Sequence, residues 1–402
     1  MAITLSGVDA LQSRLRPHVA PTTRGCILIA VALFFCGWSV AATPSPLGVD
    51  GENRYLLSGS TLFFAGPDLE WQGVATNPVQ ESLPGGNYQS SLTELPVWTR
   101  VDLSIGDIPP ARKWLYDSGA QFGGKITFYL IENGRLVDTQ TVDSYQSFST
   151  RPYNHRRLMF PIELKPNTDV QLLLKFEKIV APVFNTSLYT EGLFIEADRR
   201  ATWLSALQLG LIVAMMIYHL ILAGATFDKV YLIYSLYIGA NVFYDLVQQG
   251  FGFQYVWPNA PWVTAYWAPI SGYLPTLFAI PFAVSFLHLR TLSKRLTHFF
   301  YAAFALVAFL VACRFAGYQG LAFTWTWFMA GIYAAFIGSA IYAMTRGVAY
   351  ARFFLVAWTV FCLAMINLTL VNRGIGVFAA QSFDIMRFSF QAQVILLALA
   401  LA

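Results

Sequence analysis

Charged residues are scarce in this sequence. Only 12% of its 402 residues are Asp, Glu, Lys or Arg, whereas 56% are hydrophobic. Soluble domains usually carry about 25% charged residues, so the composition argues against a water-soluble protein and predicts a large surface that faces lipid. The acidic residues are unevenly placed, because residues 44–198 contain 18 of them and residues 199–402 contain 3. The chain therefore divides into an acidic first part and an apolar second part that is basic.

Cysteine and clustered reactive side chains are also scarce. The four cysteines are Cys26, Cys36, Cys313 and Cys362, and residues 44–198 contain none, which excludes a disulfide framework there. No His, Cys, Asp or Glu residues have metal-ligand spacing, and no Ser/His/Asp set can be assembled from the five histidines. The basic residues lie singly between apolar runs rather than in clusters. We therefore predict no catalytic residue, no metal, no cofactor and no nucleic-acid partner.

The first 43 residues have the layout of a secretory signal. Arg14, Arg16 and Arg24 precede an apolar run over residues 25–40, and Ser39 and Ala41 offer small residues for cleavage. This order is typical of a signal peptide, and an uncleaved N-terminal anchor is the alternative. In both cases the arginines stay inside the cell and the residues from 44 onward lie outside.

Residues 48–196 have the pattern of a β domain. Val101, Leu103 and Ile105 alternate with polar residues, as do the apolar residues on both sides of Asn133-Gly134. Asn-Gly favours the positive φ angles of a tight hairpin turn, so a hairpin is predicted here. Residues 158–164 and 170–176 are expected to form a second strand pair. Strands at this spacing predict an antiparallel β-sandwich.

Aromatic and basic residues gather around one predicted edge of this domain. A ring can pack on the apolar face of a sugar, and a guanidinium donates paired hydrogen bonds to an anion. We therefore predict a ligand site at this edge. The alternative is that the tryptophans belong to the core and the arginines are solvated. The candidate residues are Trp98, Arg100, Arg151, Tyr153, His155 and Arg157.

Seven apolar stretches long enough to cross a bilayer are predicted after a linker at 197–202, and together they form a bundle over 203–402. They cover about 203–223, 230–249, 263–287, 299–316, 321–344, 353–372 and 383–402. The loops after the first, third and fifth stretches contain the basic residues Lys229, Arg290, Lys294, Arg295, Arg346 and Arg352. Basic loops stay in the cytoplasm, so the β domain is predicted outside and the C-terminal end inside.

Two charged residues fall within the predicted spans at similar depth. Asp245 lies near the outer end of the second span, and Arg387 lies near the outer end of the seventh. Because charges are costly inside a bilayer, we expect either an ion pair between the two helices or two side chains that each reach the outer interface. Arg314 is a rival partner for Asp245. The third span contains Pro269, Pro275 and Pro281, which predict a kinked helix.

The pattern discriminates between classes of membrane protein. A transporter is expected to have two related halves with paired broken helices, and neither feature is found. The predicted spans contain almost no His, Asp or Glu for an enzyme, and the last contains no Lys for a retinal Schiff base. The layout favours a signalling receptor. The alternative is a membrane transporter or channel with an exported β accessory domain.

Two parts of the chain resemble the bacterial seven-transmembrane receptors with diverse intracellular signalling modules, the 7TM-DISM family. The matching stretches are 97–105, 126–134, 147–155 and 160–164 for the second type of extracellular domain, and 207–218, 231–237 and 391–402 for the helices. The resemblance implies a membrane α-helical bundle of seven transmembrane helices preceded by an all-β, jelly-roll-like sandwich. It also implies that this sandwich is a periplasmic sensor domain of the carbohydrate-binding type, with a ligand that the sequence does not identify.

The resemblance further implies a location in the bacterial inner membrane and a cytoplasmic output module, in cis or in trans. Such modules are typically diguanylate cyclases or histidine kinases. The sequence stops at Ala402 within apolar residues, so we expect the output module to be missing from this chain. We expect no enzymatic activity of the chain itself, and action as a homodimer is left open.

Overall fold

A computed structural model of the chain describes residues 46–51, 54–57, 60–65, 70–76, 96–109, 112–120, 124–177, 186–268, 270–316, 325–371 and 382–401. The predicted signal peptide or anchor at 1–43 lies outside the described residues.

The described residues from 46 to 190 form two β-sheets. Their ten strands are β1 (Leu47–Val49), β2 (Arg54–Leu56), β3 (Thr61–Ala65), β4 (Val97–Ile105), β5 (Lys113–Asp117), β6 (Lys125–Glu132), β7 (Arg135–Asp143), β8 (Met159–Glu163), β9 (Thr168–Glu177) and β10 (Ser187–Thr190). One sheet has the order β1-β4-β9-β6-β7, with β3 also paired to β4, and the other has the order β2-β10-β5-β8. Among the described pairs, β1 and β4 are parallel and the others are antiparallel.

The two sheets pack face to face around one hydrophobic core. Val101, Leu103 and Ile105 on β4 are buried in it, as their alternation predicts. Across the core, the Phe128 ring of one sheet stacks on the Phe160 ring of the other, with centroids 4.9 Å apart. The predicted β-sandwich is therefore confirmed.

The predicted hairpin at Asn133-Gly134 is confirmed, and the second strand pair is not. Asn133 and Gly134 have φ angles of 47° and 76° between the paired strands β6 and β7. In contrast, β8 pairs with β5, whereas β9 pairs with β4 and β6, so the prediction that 158–164 and 170–176 pair is wrong. Both strands send alternate apolar residues into the same core from opposite sides, and alternation alone does not distinguish this arrangement from a hairpin.

A single long helix leads from the β domain into the helical part. It is α2 (Glu191–Thr226), of 36 residues, and it begins directly after β10. Residues 197–202, predicted as a linker, form part of α2 and are therefore helical. Residues 193–209 contain neither Pro nor Gly, so nothing in the sequence breaks the helix there.

The helical part contains α2 and eight further described helices. They are α3 (Lys229–Gln248), α4 (Pro261–Trp267), α5 (Tyr273–Phe286), α6 (Leu289–Leu292), α7 (Lys294–Phe315), α8 (Trp325–Thr345), α9 (Ala351–Val371) and α10 (Ser382–Leu401). Six described helices are long and apolar enough to cross a membrane, namely α2, α3, α7, α8, α9 and α10.

The predicted third span at 263–287 is divided into α4 and α5 rather than forming one kinked helix. Pro275 and Pro281 both lie in α5, and Pro269 lies outside the described residues. Helix α5 has 14 residues and is packed at the centre of the bundle, where the Phe282 ring stacks on the Tyr234 ring at 4.9 Å. An apolar sequence on all sides of a helix is typical of such a central position.

Candidate functional site

Residues 148–157, which follow β7, connect the β domain to the helical bundle, and we call them the docking segment. The Phe148 amide donates a hydrogen bond of 2.9 Å to the Pro258 carbonyl, in the loop between α3 and α4. The Phe148 ring meets the Phe253 ring edge-on, with centroids 5.3 Å apart. The guanidinium of Arg151 lies over both rings, 4.9 and 5.1 Å from their centroids. The β domain therefore lies on the same side of the bundle as this loop, as the loop charges predict.

Arg151 also fixes the backbone of the docking segment. Its Nη1 donates hydrogen bonds of 2.9 Å to the His155 carbonyl and 2.7 Å to the Arg156 carbonyl. Hydrogen bonds from a charged donor are stronger than neutral ones. The side chain therefore holds the turn that presents His155 and Arg156 to α2.

An ion pair joins the docking segment to α2. Arg156 Nη2 lies 2.6 Å from Asp198 Oδ1, and its Nη1 lies 3.3 Å from Asp198 Oδ2 and 3.0 Å from the Thr202 hydroxyl. A guanidinium that contacts both oxygens of a carboxylate fixes orientation as well as distance. The pair therefore holds the docking segment and the first turns of α2 in a defined geometry.

His155 shares the same carboxylate in its neutral form. Its Nδ1 accepts a hydrogen bond of 3.0 Å from the Arg157 amide, so the proton lies on Nε2, which is 3.1 Å from Asp198 Oδ1. Burial lowers the pKa of His155 below its ordinary value, although the Asp198 carboxylate opposes this shift. A second proton on the ring would also remove the acceptor of the Arg157 amide.

A second ion pair supports the docking segment from inside the β domain. Arg157 pairs with Asp117 at the end of β5, and the Asp117 side chain is fully buried. Burial raises the pKa of the Asp117 carboxyl above its ordinary value, and the Arg157 guanidinium opposes this shift. Because an unpaired charge at this position would be costly, the pair ties the docking segment to the sheet.

Phe194, in the first turns of α2, is the apolar centre of the contact. The rings of Tyr153, His155 and Tyr189 surround it edge-on, with centroid distances of 6.1, 5.0 and 5.8 Å. Phe194 is buried in one cluster with side chains of β5 and β10. The start of α2 therefore packs as a part of the β domain.

The loop after α3 contacts Arg156 from the other side. The Arg156 guanidinium lies 4.5 Å from the centroid of the Phe251 ring. Gly250 has a φ angle of +75°, and a Cβ added there would lie 3.1 Å from both Cβ and the carbonyl oxygen of Arg156. Only glycine combines this backbone conformation with such a close approach.

At the outer end of the bundle, polar side chains of three helices form one network. The Asp245 and Arg387 side chains lie 3.4 Å apart between Oδ1 and Nε, and both are largely buried. Gln249 Nε2 donates to Asp245 Oδ2 over 2.5 Å, and its Oε1 accepts from the Ser205 hydroxyl over 3.0 Å. Arg387 Nη1 lies 3.3 Å from the same hydroxyl. The network therefore links α2, α3 and α10. On α2 it lies about two turns after Asp198, the residue that contacts the docking segment.

Towards the inner end of the bundle, hydroxyl groups of α3 contact α10 at successive turns. Tyr237 donates to Gln393 Oε1 over 3.2 Å, Tyr234 donates to the Val394 carbonyl over 2.6 Å, and Tyr231 donates to the Leu401 carbonyl over 2.9 Å. The spacing of three residues places these tyrosines on one face of α3. We call this set of contacts the tyrosine ladder.

The six predicted ligand residues do not form one group. Trp98 and Arg100 lie on the outer face of the larger sheet, under the short helix α1 (Trp71–Thr76), where Arg100 Nη1 donates to the Val74 carbonyl over 3.2 Å. Trp98 is buried, with 1% of its surface exposed. The predicted common edge is wrong because β4 turns these side chains to the face that α1 covers. A ligand-binding role for the six residues remains a prediction.

The other four predicted residues, Arg151, Tyr153, His155 and Arg157, all lie in the docking segment. Sequence reasoning missed their main partners, Phe194, Asp198 and Gly250. No local signal identifies Asp198 as a partner, because its contacts Arg156 and His155 lie more than 40 residues away in sequence. Within the described part of the chain, no three His, Cys, Asp or Glu side chains are grouped so as to hold a metal ion.

A β-sandwich docked on the outer end of a multi-pass helical bundle defines an integral membrane protein with an extracellular domain. Residues 201–402 match the family model described as 7TM diverse intracellular signalling, and residues 69–190 match the model described as 7TMR-DISM extracellular 2. The chain therefore belongs to the 7TMR-DISM family, and it is a transmembrane sensory receptor whose extracellular domain precedes the helices. No curated protein has a significant match to the chain.

Proposed function

We propose that this chain binds a ligand in the periplasm and passes the signal through α2, α3 and α10 to a cytoplasmic output module in cis or in trans. The β domain is periplasmic, the bundle lies in the bacterial inner membrane, and the C-terminal end of α10 is cytoplasmic. The basic residues of the loops after α2, between α5 and α7, and after α8 support this orientation. The output is of the diguanylate cyclase or histidine kinase type, and the chain itself is not an enzyme.

The observation that carries this proposal is the continuity of contacts from the docking segment to α10. Asp198 and Ser205 lie about two turns apart on the same helix, so a movement of the docking segment acts on Ser205 directly. Ser205 then contacts both Gln249 and Arg387. A receptor needs a ligand-dependent preference between two arrangements, and this network offers defined contacts that can change between them.

The tyrosine ladder supports transmission towards the cytoplasm. Its members join α3 to α10 between the Asp245–Arg387 pair and Leu401. Hydroxyl groups that donate to main-chain carbonyls fix the rotation of one helix against the other. A rotation or shift of α3 is therefore transferred to the inner end of α10.

The transmission is tested with a fluorine probe at the inner end of α10. A trifluoromethyl label is attached to Leu399→Cys, a largely exposed position, in a chain whose native cysteines are replaced by alanine. We expect Asp198→Asn to change the ¹⁹F resonance positions or populations, because it weakens the Arg156 contact about 30 Å from the probe along the helices. The matched control is Glu196→Gln, whose carboxylate lies on the same helix and, among the described residues, pairs with the exposed Arg200. A spectrum of Asp198→Asn that superimposes on that of the parent would contradict the proposal.

The ligand is proposed to be a saccharide, either neutral or anionic. The resemblance of the β domain to carbohydrate-binding-like sensor domains supports this class, because rings pack on sugars and guanidinium groups bind anions in such domains. A saccharide that binds the folded protein is expected to raise the thermal unfolding midpoint of residues 44–198, purified as a separate domain. The control is the same screen on the chain without this domain. If a broad saccharide screen shifts neither the domain nor the full chain, a protein partner becomes the preferred ligand class.

A further inference from the structure

An open cleft of about 750 Å³ lies between the docking segment and the outer part of α2. Tyr153, Asn154 and His155 form one wall of the cleft, and Tyr255 of the loop after α3 lies at one side. The residues of α2 that line it are Phe194, Ile195, Asp198, Arg199, Thr202, Trp203 and Ala206. Its volume is in the range of sites for small molecules. The cleft lies beside the start of the apolar part of α2, near Trp203.

The charged side chains of the cleft leave one cation available. The Asp198 carboxylate is occupied by Arg156 and His155. Arg199 is exposed and has no ion-pair or hydrogen-bond partner among the described residues. The neighbouring Arg200 differs, because it pairs with Glu196 at 2.6 Å and does not line the cleft. The free charge of the cleft is therefore positive, and the exposed amide of Asn154 adds an uncharged donor.

Below the cleft, α2 carries an exposed apolar stripe. Trp203, Leu207 and Leu211 follow at intervals of four residues and so share one face of the helix. Their exposed fractions are 73%, 72% and 45%. Trp203 also lines the cleft, so the polar site continues into the stripe without a break.

We propose that the cleft binds a phospholipid of the outer leaflet with an anionic headgroup. Arg199 and Asn154 contact the headgroup phosphate and its polar substituent, and the acyl chains lie along Trp203, Leu207 and Leu211. A molecule that needs both a cation and an adjacent apolar stripe is an amphiphile, and the bilayer supplies one at this depth. Tryptophan and tyrosine at the interface are typical of contacts with headgroups. The inference rests on the membrane orientation and on no property of the periplasmic ligand.

Native mass spectrometry of the full chain in detergent tests this inference. The probes are phosphatidylglycerol and phosphatidylcholine with identical acyl chains. We expect the chain to retain phosphatidylglycerol preferentially, and Arg199→Gln to weaken that retention about tenfold, the value of one charge-assisted hydrogen bond. Arg200→Gln, the matched control, is expected to change it less than about twofold, because an exposed ion pair contributes little. Trp203→Ala is expected to weaken the retention of both lipids.

Three results would overturn the inference. If the Arg199→Gln and Arg200→Gln variants retain phosphatidylglycerol equally, Arg199 does not contact the headgroup. Displacement of the lipid by excess inorganic phosphate would make the cleft a site for a soluble anion. A dimer that is lost in Leu207→Asn, with unchanged lipid retention, would assign the apolar stripe to a second copy of the chain. Unchanged thermal unfolding midpoints establish that each variant is folded.

Discussion

Arg156 of the β domain and Asp198 of the first membrane helix form a two-point contact, with distances of 2.6 and 3.3 Å between their nitrogen and oxygen atoms. Both side chains are largely buried, so the loss of either leaves the other charge unpaired. The contact also lies at the position where the extracellular domain meets the membrane.

We expect Arg156→Gln and Asp198→Asn each to lower the free energy of unfolding by about 3 kcal/mol, as when one partner of a buried ion pair is removed. The double variant is expected to lose far less than the sum, because the two residues act as one unit. Urea unfolding followed by tryptophan fluorescence measures the three values. The control pair is Arg200→Gln and Glu196→Gln, for which we expect less than about 0.5 kcal/mol. Additive losses would mean that Arg156 and Asp198 stabilise the protein separately.

Gly250 is expected to be required for the docking of the β domain. Gly250→Ala places a Cβ 3.1 Å from the Arg156 backbone at a positive φ angle, so the loop or the docking segment must move. Hydrogen–deuterium exchange in residues 148–157 is expected to become faster. The control is Gly347→Ala, which has a φ angle of +87° and nothing within 4 Å of the added Cβ. If both variants leave exchange in this segment unchanged, the close approach is not important for docking.

Asp245→Asn and Arg387→Gln are expected to have similar effects that are not additive. Each removes one partner of a largely buried pair inside the bundle, and we expect a loss of about 2 to 4 kcal/mol. Thermal unfolding in one detergent compares the single and double variants. Asp384→Asn is the control, because Asp384 is half exposed and lies 3.8 Å from Arg387. Additive effects would show that Asp245 and Arg387 stabilise the bundle independently of each other.

His155 is expected to make stability depend on pH. Its pKa in the folded protein is lowered by burial from the ordinary value of 6.5, so the folded state binds this proton less readily than the unfolded state. The stability contributed by neutral His155 is therefore present above pH 6.5 and is lost as the pH falls through the folded pKa. Between pH 7 and pH 5, the thermal unfolding midpoint of His155→Gln is expected to fall less steeply than that of the parent protein, because the variant lacks this titrating group. Equal slopes would mean that this ring does not titrate in the range.

Sequence reasoning recovered the features that depend on local patterns. The hairpin at Asn133-Gly134 follows from the φ angles that these two residues favour, and the membrane segments follow from length and hydropathy. The similar depths of Asp245 and Arg387 were also readable from their positions in the predicted spans. Each of these features depends either on residues that are close together in sequence or on the depth of a residue in the membrane, which follows from its position within a span.

Features that depend on tertiary packing were not recovered. Alternation of apolar residues does not say on which side of a core a strand lies, so β8 and β9 were paired wrongly. Tryptophan is a common residue in sugar-binding sites, so the sequence alone suggests such a role for Trp98. The structure shows that α1 covers this side chain and buries it. The residues at 197–202 are mostly polar, and polar residues between two domains suggest a linker. Their partners in the docking segment cannot be read from the sequence, because they lie about 40 residues away.

The absence of a break in α2 has a mechanical consequence. A helix of 36 residues is about 54 Å long, so it exceeds the hydrocarbon core of about 30 Å by several turns. A helix of this length can act as a stiff lever whose outer arm is built into the β domain and whose inner arm reaches the opposite face of the membrane. A tilt of about 5° around its middle moves each end by about 2 Å, a shift of the size found at helix interfaces in allosteric proteins. A flexible joint at 197–202 would absorb such a tilt, whereas the continuous helix delivers it across the membrane.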